Sequence, residues 1–148
     1  MNKRYICKGK RKDNGEWVEG YYVCLNGDRH FIYTGYAETD CGTYYPDCHE
    51  VIPETVGQCT GLKDKNGKLI FEWDILNADG YMFFVRFGKC GGVKNNENYS
   101  YIGFYLDGFD VITKNGFYFG LRDDICYFTG VEVIGNIHDN KDLLDVER

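Results

Sequence analysis

The chain of 148 residues has little proline, an excess of acidic over basic residues and no long apolar run. Only 2 prolines stand against 19 glycines, a balance that favours short strands joined by tight turns. No stretch approaches the roughly 18 apolar residues of a membrane-spanning helix. The basic N-terminus is not followed by the apolar segment of a signal peptide. We therefore expect a cytoplasmic protein with no membrane partner.

The net charge is −6, with a pI near 5.0. Because duplex DNA and anionic membranes attract positively charged surfaces, binding of either is not expected. The local exception is the N-terminus, where six of the first twelve residues are Lys or Arg. We interpret this segment as an edge strand whose lysines prevent pairing with other chains.

The seven cysteines are scattered and form no C-x2-C pair. This usage is typical of reduced thiols rather than of a disulfide framework. Cys41, Cys48 and His49 are close in sequence, but their spacing fits no common zinc pattern. No cysteine follows a helix start or elbow motif that would lower its pKa for nucleophilic catalysis. We expect no metal, no cofactor and no enzymatic activity.

Turn signals divide the chain into short segments. Four Asn-Gly and two Asp-Gly dipeptides occur, and aromatic or β-branched runs recur between them. No segment of ten residues has helical periodicity, so the sequence predicts an all-β barrel or sandwich. Segments 34–50 and 88–98 are predicted loops, and 140–148 a possible short C-terminal helix. The predicted strands are 3–9, 17–25, 29–33, 68–76, 81–87, 99–106, 109–113, 117–121, 125–128 and 131–137.

Three sequence segments resemble those of one protein family. Residues 7–11 and 17–20 read CKGKR and WVEG, residues 55–67 read TVGQCTGLKDKNG with IFEWDI at 70–75, and residues 133–144 read VIGNIHDNKDLL. Together they resemble the YopX family of phage and prophage proteins. Trp73 stands where that family usually has glycine, which puts in doubt whether the bend there needs a positive φ.

The resemblance implies a mainly β structure with a partly open, SH3-like barrel near the C-terminus. It also implies homo-oligomers and a mobile-element origin, and it brings no established activity or catalytic residues. We expect an N-terminal β-meander over residues 1–55, with 34–50 as a variable loop, and the barrel over residues 56–148. The two regions are expected to form one compact unit.

The chain contains 25 aromatic residues (13 Tyr, 10 Phe and 2 Trp), more than a core of this size readily buries. Tyrosine and tryptophan are enriched at protein interfaces and also stack on nucleotide bases. A charged hairpin tip at residues 63–67 is interpreted as a turn, with an anionic ligand as the alternative. The candidate ligand-binding residues are Trp73, Tyr81, Arg86, Lys89 and Tyr101.

The sequence therefore predicts a non-enzymatic phage or prophage accessory protein. It would self-assemble and bind a host protein or a small ligand in the cytosol. One alternative is an anti-defence protein that sequesters a nucleotide signal at oligomer interfaces, with Trp73 stacking a base and Arg86 or Lys89 pairing phosphates. A further alternative is a nucleic-acid-binding β-barrel.

Overall fold

The structure, a computed structural model, describes residues 3–94, 97–108, 119–120 and 130–144. These residues form two antiparallel sheets, which confirms the all-β fold class. None of the described helical segments is long and apolar enough to cross a membrane. The strands are β1 (Cys7–Lys10), β2 (Trp17–Leu25), β3 (Arg29–Glu38), β4 (Tyr44–Glu50), β5 (Gly57–Lys63), β6 (Leu69–Phe71), β7 (Asp74–Ala78), β8 (Tyr81–Lys94), β9 (Glu97–Gly108), β10 (Phe119–Gly120) and β11 (Val131–Asn136).

The chain divides into two compact units, residues 1–61 and 62–148. The boundary between the units lies after residue 61, whereas the sequence prediction placed it after residue 55. That the two regions form one compact unit stays a prediction, as does the SH3-like form of the barrel.

The first unit is an antiparallel meander with the strand order β4-β3-β2-β1-β5, as predicted for the N-terminal region. Its interior forms around Ile32 and Val51, both fully buried. Two glycines permit this packing. A Cβ on Gly9 would lie 3.2 Å from Ile32 and 3.3 Å from Val51, and a Cβ on Gly20 would lie 2.1 Å from the carbonyl oxygen of Tyr33. Side chains at these two positions would therefore force the strands apart.

The second unit contains a sheet with the order β10-β9-β8-β7-β11, and β6 follows β5 in the order of the other sheet. Alternate residues of these strands face one apolar core, as the two-residue period of a strand requires. The core residues are Ile70, Leu76, Ala78, Phe83, Val85, Leu106, Val131 and Val133.

Several sequence predictions of local structure were wrong. The predicted loop 34–50 consists mostly of β3 and β4, because an extra residue between Tyr33 and Gly35 lets β3 bulge and keep its pairing. The predicted loop 88–98 is largely strand, since Gly88 to Lys94 pair in register with Glu97 to Gly103.

Other predicted boundaries also shift. Asp107-Gly108 is not a turn, because both residues pair with β8. The first strand begins at Cys7 after a 3-10 turn at Lys3–Tyr5. The described part of the predicted C-terminal helix is a 3-10 turn at Lys141–Leu144, and residues 145–148 lie outside the described residues. The predicted strands 109–113 and 125–128, and most of 117–121, lie outside the described residues.

The N-terminal lysines do not guard an edge strand. β1 pairs with β2 on one side and with β5 on the other, so it is an interior strand of its sheet. The edge strand of the first unit is β4. Gatekeeping against other chains therefore does not explain the basic residues of β1.

Candidate functional site

Trp73 occupies the bend between β6 and β7 with a φ of 71°, in the left-handed region. A bulky side chain is unfavourable there by about 1–2 kcal/mol, because its Cβ crowds the following carbonyl. The backbone is fixed from both sides. The N–H of Trp73 donates to the carbonyl of Val85 at 2.8 Å, and the N–H of Ile137 donates to the carbonyl of Trp73 at 3.0 Å. The bend therefore has the positive φ that suits glycine, and this chain places tryptophan in it.

The half-buried indole of Trp73 has two described ring neighbours. The guanidinium carbon of Arg86 lies 5.5 Å from the ring centroid, a cation–π arrangement, and the His138 ring meets the indole edge-on at 6.1 Å. Arg86 is held in place by Asp107, with 3.2 Å between Nη1 and Oδ2. We call Trp73, Arg86, Asp107 and His138 the Trp73 cluster.

A buried carboxylate supports the same bend. Asp74 is fully buried, and its Oδ2 accepts the backbone N–H of Phe71 at 2.8 Å. Glu72 belongs to the bend and Asp74 begins β7, so the two carboxylates are not neighbours on one strand. Asp74 therefore acts in the fold of the bend.

The register of β8 and β9 sorts the five predicted ligand-binding residues onto two faces of the sheet. Arg86 is opposite Tyr105, and Tyr101 is opposite Cys90, so Arg86 and Tyr101 share a face with the Trp73 contact. Lys89 and Tyr81 are on the other face, where Tyr81 is 50% exposed at the sheet end. Trp73, Arg86 and Tyr101 thus share one face, but Tyr101 is opposite Cys90, four residues and about 13 Å along β8 from Arg86, and Tyr81 and Lys89 lie on the other face.

Sequence reasoning missed the two partners that complete the Trp73 cluster. His138 lies in the family-like segment 133–144, which was the available signal for it. Asp107 was assigned to a turn, so nothing in that interpretation placed its carboxylate beside Arg86.

A second candidate surface lies on the first unit. Pairing of β2, β3 and β4 places a row of large apolar side chains on one face of the meander. We call it the tyrosine face; its exposed members are Tyr21 (42%), Val23 (42%), Leu25 (48%), Tyr36 (71%) and Tyr44 (64%).

Tyr33 and Tyr36 contact each other at the centre of the tyrosine face. The rings of Tyr33 and Tyr36 meet edge to face at 5.7 Å between centroids. Desolvation, followed by the hydrogen bond between the two hydroxyls, raises the pKa of Tyr33 to about 12. The phenol of Tyr33 therefore stays neutral near pH 7.

Ionic groups close the two ends of β3 on this face. At one end Arg29 pairs with Glu50 at 3.0 Å and lies over the Phe31 ring, with 4.8 Å between the guanidinium carbon and the centroid. At the other end Glu38, opposite Tyr44, is exposed. The face thus runs from a basic group to an acidic group across an apolar centre.

Within the described residues, no group of three or more His, Cys, Asp or Glu side chains could hold a metal ion. Cys41 has a distinct environment in the turn between β3 and β4. Hydrogen bonds from Thr39, first, and from Thr43 lower the pKa of this exposed thiol to about 7.

Comparison with known proteins places the chain in a family. The family model described as "YopX protein" matches residues 8–145, nearly the whole chain. The chain therefore belongs to the YopX family, as its motifs predicted, and is in that sense a phage-associated protein. Neither the curated proteins nor the solved structures include a significant match.

Proposed function

We propose that this chain is a non-enzymatic phage accessory protein that self-assembles in the host cytosol and there binds a host protein or a small ligand. The observation that supports self-assembly most directly is the tyrosine face. Exposed tyrosines on one sheet face, neutral at its centre, are the composition of a protein interface rather than of a free surface.

The charge pattern favours a second copy of the same chain as the occupant. A two-fold axis brings the same surface of both copies into contact. Where one residue of the first copy meets a second residue of its partner, the reverse contact also forms. When two copies of β3 pack face to face in antiparallel orientation, the Arg29 end of one lies over the Glu38 end of the other. The strands β2, β3 and β4 have 9, 10 and 7 residues. At about 3.3 Å per residue and about 4.8 Å between strands they present roughly 410 Å² per copy, so the pair buries roughly 820 Å², the size of a weak or transient interface.

Tyr36→Asp tests this proposal, with Tyr45→Asp as its matched control. Tyr36 is central on the tyrosine face, whereas Tyr45 is also exposed but faces the opposite side of the same sheet. Light scattering after size exclusion should show an oligomer for the wild type and for Tyr45→Asp, and a smaller species for Tyr36→Asp. A wild-type monomer at 100 μM, or equal masses for all three proteins, would contradict the proposal.

The Trp73 cluster favours a second candidate function, the capture of a nucleotide signal in an anti-defence role. An indole kept in a left-handed bend despite its strain, with a guanidinium beside it, supplies an aromatic surface and a phosphate-pairing group together. Titration calorimetry with cyclic dinucleotides and with ADP-ribose derivatives tests it. Heat that disappears in Trp73→Gly supports this function, and no heat with any of these compounds removes it.

A further inference from the structure

Two lysines converge on one indole at the solvent face of β1 and β2. The Nζ atoms of Lys8 and Lys10 lie 5.2 Å and 5.7 Å from the centroid of the Trp17 ring. Lys10 is directly opposite Trp17 in the pairing, and Lys8 is opposite Glu19, so all four side chains share one face. We call these four residues the Trp17 patch.

The two motifs that carry the Trp17 patch also contain two glycines. Gly9 and Gly20 are required by close packing on the inner face. The lysines, by contrast, are on an interior strand, where no free edge needs protection.

We propose that the Trp17 patch binds single-stranded nucleic acid. A base stacks on the indole of Trp17, and the flanking phosphates pair with Lys8 and Lys10. An aromatic ring interleaved with cations on an open sheet surface is the chemistry by which proteins hold unpaired strands, since every base has a face to stack and every nucleotide carries a charge.

The same face offers the strand a path beyond Trp17. Tyr21 is four residues further along β2 and paired with Tyr33, on the side of the sheet that carries the Trp17 patch. Four strand residues span about 13 Å. In a single copy one oligonucleotide can therefore reach the Trp17 and Tyr21 rings together, whereas self-assembly through the tyrosine face covers Tyr21 and leaves Trp17 to stack a base.

Acidic neighbours limit the strength of this binding. Glu19 belongs to the patch, Arg11 is paired with Asp13, Lys12 is paired with Glu50, and the chain carries a net charge of −6. We therefore expect micromolar affinity at low salt and a steep loss with added salt. Duplex DNA keeps its bases stacked inside, so it should bind much more weakly than a single strand of the same length.

The first experiment uses the full chain and a fluorescein-labelled 15-nucleotide oligo(dT), read by fluorescence anisotropy in 20 mM salt. Saturable binding of the labelled oligonucleotide is expected. The matching duplex and thymidine monophosphate, added as competitors, should displace it only weakly. An independent reading comes from Trp73→Phe, which leaves Trp17 as the one tryptophan of the chain. Its emission should be quenched by the oligonucleotide.

Four variants separate the proposed contacts from a structural role. Trp17→Ala should weaken binding about fivefold or more, and Trp17→Phe, which keeps a stacking ring, should restore part of it. Lys10→Gln should weaken binding and reduce the slope of log affinity against log salt by about 0.7, whereas Lys141→Gln, the same charge change on an exposed residue of the other unit, should leave the affinity within twofold.

Glu19→Gln carries the opposite prediction. Removing the exposed carboxylate opposite Lys8 should tighten binding about two- to fivefold, an effect that loss of packing does not produce. Tyr36→Asp should still bind the oligonucleotide, so a failure of self-assembly is distinguishable from a failure of this site. No anisotropy change up to 100 μM protein, or equal affinities for wild type, Trp17→Ala and Lys10→Gln, would overturn the proposal.

Discussion

The carboxylate of Asp64 accepts the backbone N–H of Val133, 69 positions further along the chain, at 3.1 Å. The other oxygen of the same carboxylate accepts the N–H groups of Asn66 and Lys68, each at 2.9 Å. One buried side chain therefore closes the turn after β5 and also binds β11. The hairpin that carries much of the family resemblance is thus tied to the strand that carries the rest.

Asp64→Asn should lower the free energy of unfolding by about 1–3 kcal/mol. The amide keeps one acceptor oxygen but turns an NH2 group towards the other N–H partner, which leaves buried donors facing each other. Urea denaturation measures the loss, with Glu97→Gln, an exposed residue of the same unit, as the control. An unchanged midpoint in Asp64→Asn would show that the carboxylate does not hold the turn.

The same residue predicts a pH dependence. Burial raises the pKa of Asp64, but hydrogen bonds from the N–H groups of Val133, Lys68 and Asn66 outweigh it, so the pKa lies below its usual value. A lowered folded pKa stabilises the protein above the unfolded pKa of about 3.9, and this contribution is lost as the pH falls through the folded value. The stability difference between wild type and Asp64→Asn should be constant from pH 5 to 7 and shrink below about pH 4.

Gly20→Ala should destabilise the first unit by about 3 kcal/mol or more, because the added methyl would overlap the Tyr33 carbonyl. The control is Gly88→Ala. Its Cβ would have Tyr105 as its nearest neighbour at 3.8 Å, an ordinary contact, so a change of less than about 0.5 kcal/mol is expected. Similar denaturation midpoints for the two variants would contradict the close approach of β2 and β3.

At position 73, glycine should be more stable than alanine by about 1–2 kcal/mol. Both changes remove the contacts of the indole with Arg86 and His138, but only glycine relieves the left-handed strain. The comparison of Trp73→Gly with Trp73→Ala by urea denaturation therefore measures the free-energy cost of the left-handed backbone at position 73. Alanine as stable as glycine would mean that the bend does not hold a positive φ in solution.

Cys41 should react with a disulfide reagent faster at pH 7 than the exposed thiol of Cys48. The hydroxyl of Thr39, and then that of Thr43, stabilises its thiolate. Thr39→Val should move the midpoint of the pH–rate profile upwards. Equal rates for Cys41 and Cys48, read by mass spectrometry of labelled peptides, would contradict this environment.

Local turn chemistry carried much of the successful prediction. Asn26-Gly27 and Asp79-Gly80 have positive φ at both residues, as the central positions of type I′ turns require. At Asn14-Gly15 only Gly15 has a positive φ. The Asn14 side chain accepts the N–H of Glu16, so a longer loop forms there in place of a type I′ turn. A dipeptide thus predicts that the chain turns, whereas the flanking hydrogen bonds decide how.

Strand length was the weakest part of the sequence interpretation. Glycine and polar residues after Gly88 indicated a loop, yet β8 continues because β9 offers a partner in register to its end. Cross-strand pairing is a non-local property that composition does not encode. The same reason hid the Asp107 carboxylate beside Arg86 and the central place of β1 in its sheet.

The identity of the candidate residues was more predictable than their arrangement. Trp73 was singled out because it replaces a glycine, and the structure gives that difference a physical meaning in its φ of 71°. The exposed tyrosines were expected to serve an interface, but only the register of β2, β3 and β4 shows which of them share a face.

Self-assembly is the central claim, and native mass spectrometry of wild-type protein taken directly from cells tests it most directly. The account predicts the mass of two or more 17.1 kDa chains, with any co-purified ligand visible as an added mass. A single species at 17.1 kDa over the micromolar range would contradict it.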